Sequence, residues 1–126
     1  MIDQQATSAF IATLLHSATL THLQHFQVTG EGSNAKHQAL ADYYEGVIDL
    51  IDSLTESIQG AYDEIIKEYP RTFGSPSADP LEYMKALRQY VRESRSALPQ
   101  DSEIQNEIDG IATLINHTCY RLGFLR

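Results

Sequence analysis

Cysteine occurs once, at Cys119, so the chain can form no internal disulfide, and this usage fits a reducing compartment. Tryptophan is absent. Long hydrophobic runs are missing as well: Asp, Glu, Gln or His interrupts every apolar stretch within a few residues, and no segment reads as a membrane-spanning helix. The opening residues, Met1 to Gln5, have neither the basic start nor the small-residue cleavage site of a secretory leader, so a cytoplasmic protein is expected. Bases are scarce. Nine Lys and Arg stand against seventeen Asp and Glu, a net charge of −8, which argues against generic binding to a phosphate backbone. Of the four prolines, three fall between residues 70 and 80, and no stretch alternates apolar and polar residues as a strand would.

What is present suffices for one domain. The 126 residues, 42% of them hydrophobic and 21% charged, can bury a single core, so residues 1–126 are read as one unit. The charge is unevenly spread. Residues 31–68 carry nine acids (Glu31, Asp42, Glu45, Asp49, Asp52, Glu56, Asp63, Glu64, Glu68) against Lys36 and Lys67. Residues 80–98 reverse the balance, with Lys85, Arg88, Arg92 and Arg95 against Glu82 and Glu93. Solvated helix faces are the ordinary source of such blocks.

Four helical segments are predicted. Residues 4–27 place Phe10, Ile11, Leu14, Leu15, Leu20, Leu23 and Phe26 at helical spacing without proline or glycine. The stretch Val28 to Asn34 breaks the pattern, and Ser33 or Asn34 offers an N-cap for a second helix over 35–68, which Pro70 stops. Gly46 and Gly60 lie inside it. Residues 70–80 read as a loop, Asp79-Pro80 as the cap and first turn of a third helix to 97, and Asp101 or Ser102 as the cap of a fourth over 101–123. The expected architecture is all-α, an antiparallel four-helix bundle with a long second helix.

The chemically informative residues are His25, His37, Asp52 and Glu56. Imidazole and carboxylate together form a ligand set for iron, zinc or manganese. Asp52 and Glu56, four apart, leave one helix face together, with Asp49 and Glu45 extending the row. For carboxylates alone a solvated stripe is the simpler explanation. The two histidines sharpen the case: His25 ends the first helix and His37 begins the second, so a tight turn can bring them together. On one helix, however, His37 and Asp52 are separated by ~22 Å at 1.5 Å per residue. Ligands of one metal stand ~2 Å from it, so one chain cannot supply both halves. A second copy, antiparallel about a two-fold axis, can lay its Asp52 and Glu56 beside His25 and His37. The midpoint between His37 and Glu56 falls at residues 46–47, where Gly46 would let two helices cross closely.

This segment, His25-Phe26-Gln27-Val28-Thr29-Gly30 followed by His37, Asp52 and Glu56, resembles the Dps proteins, the twelve-subunit mini-ferritins. Their pattern is a His-Trp-x-Val-x-Gly turn, a second His twelve residues after the first, an Asp fifteen further on and a Glu four beyond that; all three spacings recur here. The resemblance implies a ferritin-like bundle and a homo-oligomer, in the family a dodecameric shell. It implies a ferroxidase centre between subunits, with His25 and His37 from one chain and Asp52 and Glu56 from its two-fold partner. It further implies iron storage against oxidative stress, with Fe²⁺ oxidised by peroxide or oxygen to Fe³⁺ and zinc or manganese as substitute ions. Phe26 stands in place of the family's tryptophan, and Ala41 where many members carry an Asp. Residues 70–80 are too short for the small extra helix of that connection. The compact form is similar to phage-encoded members, which points to a bacterial or phage-infected cell. The alternative reading is a catalytically inactive ferritin-like helical structural or interaction protein, such as a phage component.

Other residues carry plainer expectations. His22 is an ordinary helix position with a secondary claim as an extra ligand, and His16 a partly buried histidine. His117 and Cys119, two apart on one helix, diverge by about 200° and cannot chelate together. Cys119 reads as a small core residue. Most tyrosines read as core or interface aromatics, Tyr43 or Tyr44 standing nearest the two-fold. Asp101, Glu103 and Glu107 complement the dipole of the fourth helix; in Dps shells acids of this region line the three-fold pores. With one acid and no Lys or Arg in residues 1–20, and only Arg121 and Arg126 among the last residues, the DNA binding of some Dps members is not expected here.

Overall fold

The computed structural model describes residues 1–74 and 76–125; Ser75, in the loop expected over 70–80, and Arg126 lie outside the described residues. The secondary structure described is helical throughout: α1 (Gln4–Gln27), α2 (Ser33–Tyr62), α3 (Pro80–Ser94) with a single 3₁₀ turn over Arg95–Ala97, and α4 (Ser102–Phe124). The caps follow the local chemistry. Asp3 accepts the Ala6 N–H at 3.0 Å to open α1, and Asp79 accepts the Glu82 N–H at 2.9 Å to open α3, with Pro80 in the first turn. Neither Ser33 nor Asn34 caps α2. Gly32 holds the cap position at φ 78°, following Gly30 at φ 87°, left-handed backbone that glycine adopts without steric cost. Asp101 sits at the N-cap of α4, but its carboxylate accepts the Tyr62 hydroxyl instead of a backbone N–H.

Contacts at the two ends of each helix give the directions. His25 meets His37 at one end of the α1–α2 pair, and the Gln4 amide donates to Glu64 and the Ile65 carbonyl at the other. Asp42 pairs with Arg121, Ser53 with Glu107, and Tyr62 with Asp101, so α2 and α4 are also antiparallel. Arg95 reaches Gln105 and Asp109, while the chain at Gly123 lies against Leu81, so α3 opposes α4. Spatial neighbours are thus antiparallel, whereas the consecutive helices α2 and α3 run parallel. The connection over residues 63–79 must therefore return along the length of the molecule.

That connection starts six residues earlier than the apolar spacing of Ile65 and Ile66 implied. Asp63 turns left-handed at φ 50° and its N–H closes on the Gln59 carbonyl, ending α2. The Gln59 side chain then takes the Ile66 N–H at 2.9 Å, and Gln4 takes the Lys67 N–H at 3.0 Å. Ile66 is buried by this fold-back, not by helical periodicity. Further on, Phe73 stacks on His16, ring centroids 4.1 Å apart, so the connection lies as a strap along α1.

The core is a continuous column that includes Phe10, Leu14, Leu40, Tyr43, Val47, Ile51, Leu54, Met84, Ile104, Ile108, Ile111 and Ile115, all fully buried or nearly so. Within it the Tyr43 hydroxyl donates to Ser17 Oγ at 2.7 Å, and Ser17 donates onward to the Leu14 carbonyl. Three apolar residues expected on the buried face of α1 lie outside: Leu15 is 40% exposed, Leu23 50% and Phe26 69%. They are joined on the surface by Ile48 of α2. Gly46 also departs from expectation. An added Cβ would meet Leu114 Cδ2 at 3.4 Å, so this glycine admits α4 of its own chain and faces away from the outer side of α2.

Candidate metal centre

The short turn between α1 and α2 brings His25 and His37 into direct contact. Their rings stack with centroids 3.5 Å apart and planes inclined by 22°. Each ring is held by the other residue's main chain: His25 Nδ1 lies 2.8 Å from the His37 carbonyl oxygen, and His37 Nδ1 lies 3.0 Å from that of His25. A carbonyl oxygen only accepts, so each Nδ1 carries a proton, and in the neutral ring it is Nε2 that holds the lone pair. Backbone carbonyls holding Nδ1–H are the usual means by which a ligating histidine is oriented. One bond also serves the fold, because the His25 carbonyl belongs to the last turn of α1, where helical partners run out.

Aromatic packing fixes this corner. His22 stacks on Tyr44 at 4.1 Å and 14°, and Tyr44 meets His25 edge-on at 5.4 Å and 82°. His22 also lies edge-on to His25, centroids 6.0 Å apart, and against Phe26 at 4.9 Å. Tyr44, rather than the fully buried Tyr43, is therefore the tyrosine beside the imidazoles. Burial pushes the Tyr43 hydroxyl far above its ordinary range, and that of Tyr83 to about 12 for the same reason. The neighbouring Gln24 is 2% exposed, and neither polar atom of its amide has a hydrogen-bond partner among the described residues.

Asp52 and Glu56 leave α2 together into solvent at the mouth of a cleft of about 570 Å³. The floor of that cleft is apolar, formed by Ile11, Ala12 and Leu15 of α1 with Ile51 of α2, and the strap supplies Tyr69 and Phe73 as its far wall. On the outer strip of α2 the order is His37, Ala41, Tyr44, Ile48 and Asp52, positions that recur every three or four residues. The imidazole pair and the carboxylate pair thus share one surface while remaining ~22 Å apart along the axis. Among the described residues no group of three or more His, Cys, Asp or Glu side chains is close enough to hold one metal. The structure brings His25 to His37 and Asp52 to Glu56, and does not bring the two pairs together within a chain.

The remaining candidates are placed elsewhere. Asp42 pairs with Arg121 at 2.6 Å across α4, and Arg95 leaves the basic row of α3 to pair with Asp109 at 2.6 Å. Lys85, Arg88 and Arg92 form no ion pair with a described residue. Cys119 is buried, which pushes its thiol up, while His117 faces solvent. Glu107 accepts from Ser53 at 2.6 Å through one carboxylate oxygen, and the other is buried without a partner. No helix of the described residues is long and apolar enough to cross a membrane.

Sequence spacing singled out the two side-chain pairs but not what orients the imidazoles. The carbonyl partners are main-chain atoms, which no residue pattern reports, and the ring on which His22 rests comes from another helix. In comparison with known proteins, no curated protein and no solved structure matches the chain. One family model does match, that of a family of unknown function (DUF5856), over residues 25–122. The match opens on His25, takes in the whole of α2, α3 and α4 as far as Leu122, and spans more than three quarters of the 126 residues. The chain belongs to the DUF5856 family.

Proposed function

We propose that the protein is a mini-ferritin of the Dps type, a homo-oligomer that binds Fe²⁺ as substrate between two-fold-related subunits, oxidises it with peroxide or oxygen, and stores the ferric product. The observation that carries this reading is the reciprocal hold on His25 and His37, which leaves two Nε2 lone pairs free in an otherwise unremarkable turn. Beyond closing the end of α1, the two bonds fix both rings on the Nδ1 side, so a ligand would meet imidazoles already oriented. Asp52 and Glu56 complete a donor set of two nitrogens and two carboxylates suited to Fe²⁺, with Zn²⁺ or Mn²⁺ as substitutes. The topology supports the same reading, because a bundle whose second and third helices are parallel and joined by one long crossover is the ferritin-like arrangement.

In this reading the imidazoles bind the ion, the partner's carboxylates neutralise its charge, and Tyr44 with His22 keeps the His25 ring in place. An anaerobic Fe²⁺ titration tests it. Wild-type protein binds about one ion per chain, as two sites per two-fold dimer require. His25→Ala, His37→Ala, Asp52→Ala and Glu56→Ala each abolish tight binding. Undiminished binding in the histidine variants refutes the assignment. Ala41 favours a second reading, a ferritin-like scaffold without catalysis, since it removes a carboxylate from the strip between His37 and Asp52. An intact oligomer that binds no Fe²⁺ selects that alternative.

A further inference from the structure

Phe26 is the least explained side chain near the candidate centre. It is 69% exposed, carries no charge, and projects from the last turn of α1 immediately beside His25. It lies on one strip of α1 with His22, Thr19 and Leu15, at helical spacings of three to four residues. Solitary exposed aromatics are common, but here Leu15, Leu23, Phe26 and Ile48 share one surface, and such grouping marks an interface.

On that same surface the cleft beside Asp52 and Glu56 has an apolar floor, and no side chain of the described residues fills it. At about 570 Å³ it exceeds by several-fold the ~150 Å³ that a protein cavity needs to hold a benzene ring. The depth and the height of the cleft can be matched to an occupant. His25 lies level with His37, so Phe26 stands at the height of the first turns of α2. A two-fold axis perpendicular to α2, centred between residues 46 and 47, carries residue 37 onto the level of residue 56 and residue 41 onto that of residue 52. It therefore carries Phe26 of one copy to the level of Asp52, Thr55 and Glu56 of the other, where the cleft lies.

We infer that Phe26 of a second copy of this chain fills the cleft floored by Ile11, Ala12, Leu15 and Ile51. The proposal rests on the two-fold of the functional reading above and names the contact that holds it. The complementarity runs beyond shape. The strip around Phe26 contains no acid and three imidazoles (His22, His25 and His37), while the cleft lining carries two carboxylates and neither Lys nor Arg, its one imidazole, His16, being stacked on Phe73. One operation seats the ring, covers the exposed leucines and sets imidazole against carboxylate. At the centre of the contact the outward residues are Tyr44 and Ile48, each meeting the other across the axis. A buried aromatic anchor surrounded by such contacts is the usual energetic centre of an interface.

Cross-linking tests the register directly. Phe26→Cys and Leu15→Cys, combined in a full-length Cys119→Ala chain, stand eleven residues and ~16 Å apart on one helix, beyond the ~7 Å Cα separation a disulfide can span. Any disulfide between them must join two copies. Mild oxidation is expected to convert most of this variant to a covalent dimer on a non-reducing gel, while Phe26→Cys paired with Thr113→Cys, on α4, gives none. Phe26→Ala, at a position where folding does not depend on burial, is expected to weaken self-association at least tenfold by sedimentation, with Phe26→Trp restoring it. A yield no greater than the Thr113 control, or unchanged association in Phe26→Ala, overturns the proposal. The outcome stays separable from the metal reading: a cross-linked dimer whose wild-type parent binds no Fe²⁺ leaves this contact standing and removes the ferroxidase. Fe²⁺ bound at one per chain by a Phe26→Ala protein that self-associates as tightly as wild type removes this contact and leaves the metal reading standing.

Discussion

Mixing two inactive variants should restore a definite fraction of metal sites. His37→Ala removes an imidazole and Glu56→Ala a carboxylate from positions nineteen residues apart on α2, ~28 Å along the axis, so neither lesion touches the other residue in its own chain. If each site takes histidines from one subunit and carboxylates from its two-fold partner, each pure variant has the same lesion in every site. In a hybrid dimer one site receives both lesions and the other receives none, because a two-fold interface uses each surface once in each direction. Random exchange of an equal mixture makes half of the dimers hybrids, and each hybrid holds one intact site of two. The expected recovery is about one quarter of the wild-type sites. The same quarter follows for a closed shell, since each site samples its two contributors independently. The assay is Fe²⁺ oxidation by peroxide, with Fe²⁺ binding measured anaerobically alongside, after subunit exchange has been verified by native mass spectrometry of differently tagged chains. Recovery near one quarter supports shared sites. Zero recovery with verified exchange, or substantial activity in either pure variant, refutes the argument that a single chain holds only half a site.

Four further outcomes are expected. Removing the Tyr43 hydroxyl (Tyr43→Phe) deletes one buried neutral hydrogen bond and should cost ~1 kcal/mol, whereas Ser17→Ala strands the buried phenol and should cost ~1–3 kcal/mol; in the double variant the losses should add to less than their sum by chemical denaturation. Because burial raises the Tyr43 and Tyr83 hydroxyls above the ordinary value near 10, their contribution is complete below that pH and is lost as pH climbs past it; alkaline unfolding should be blunted in Tyr43→Phe, and an unchanged pH profile would contradict the burial argument. Gly46→Ala places a Cβ in ordinary contact with Leu114 and should gain ~0.5–1 kcal/mol of helix stability, while Gly46→Leu should cost ~1–3 kcal/mol through overpacking between α2 and α4, with the loss seen in unfolding of the chain itself. No DNA retardation is expected at physiological salt, given a net charge of −8 and only Lys85, Arg88 and Arg92 as an unpaired basic row; a salt-sensitive shift abolished by Arg88→Ala with Arg92→Ala would show that the local row outweighs net charge.

The helices themselves were legible because their signals are local. Periodicity located α1 to the residue, and Asp79-Pro80 marked the start of α3 through a cap and a fixed φ. The spacings of His25, His37, Asp52 and Glu56 also sufficed to place an imidazole pair and a carboxylate pair far apart on one surface of a single chain, since helical rise converts sequence distance into length. Where apolar spacing alone was the guide, tertiary contacts decided otherwise. Ile65 and Ile66 continue the rhythm of α2, yet Gln59 and Gln4 capture the backbone after Tyr62 and turn it into the crossover. Leu15, Leu23 and Phe26 carry the same apolar signal as Phe10 and Leu14, but α1 has three neighbours covering only part of its circumference: α2, α3 and the strap. Which apolar residues face outward depends on where those neighbours lie. Gly46 sat at the predicted level of the two-fold axis, and only the position of α4 showed that its missing side chain makes room for Leu114. The hold on the two imidazoles was likewise decided in three dimensions, because a carbonyl oxygen is the same in every residue and becomes a partner only when the turn delivers it.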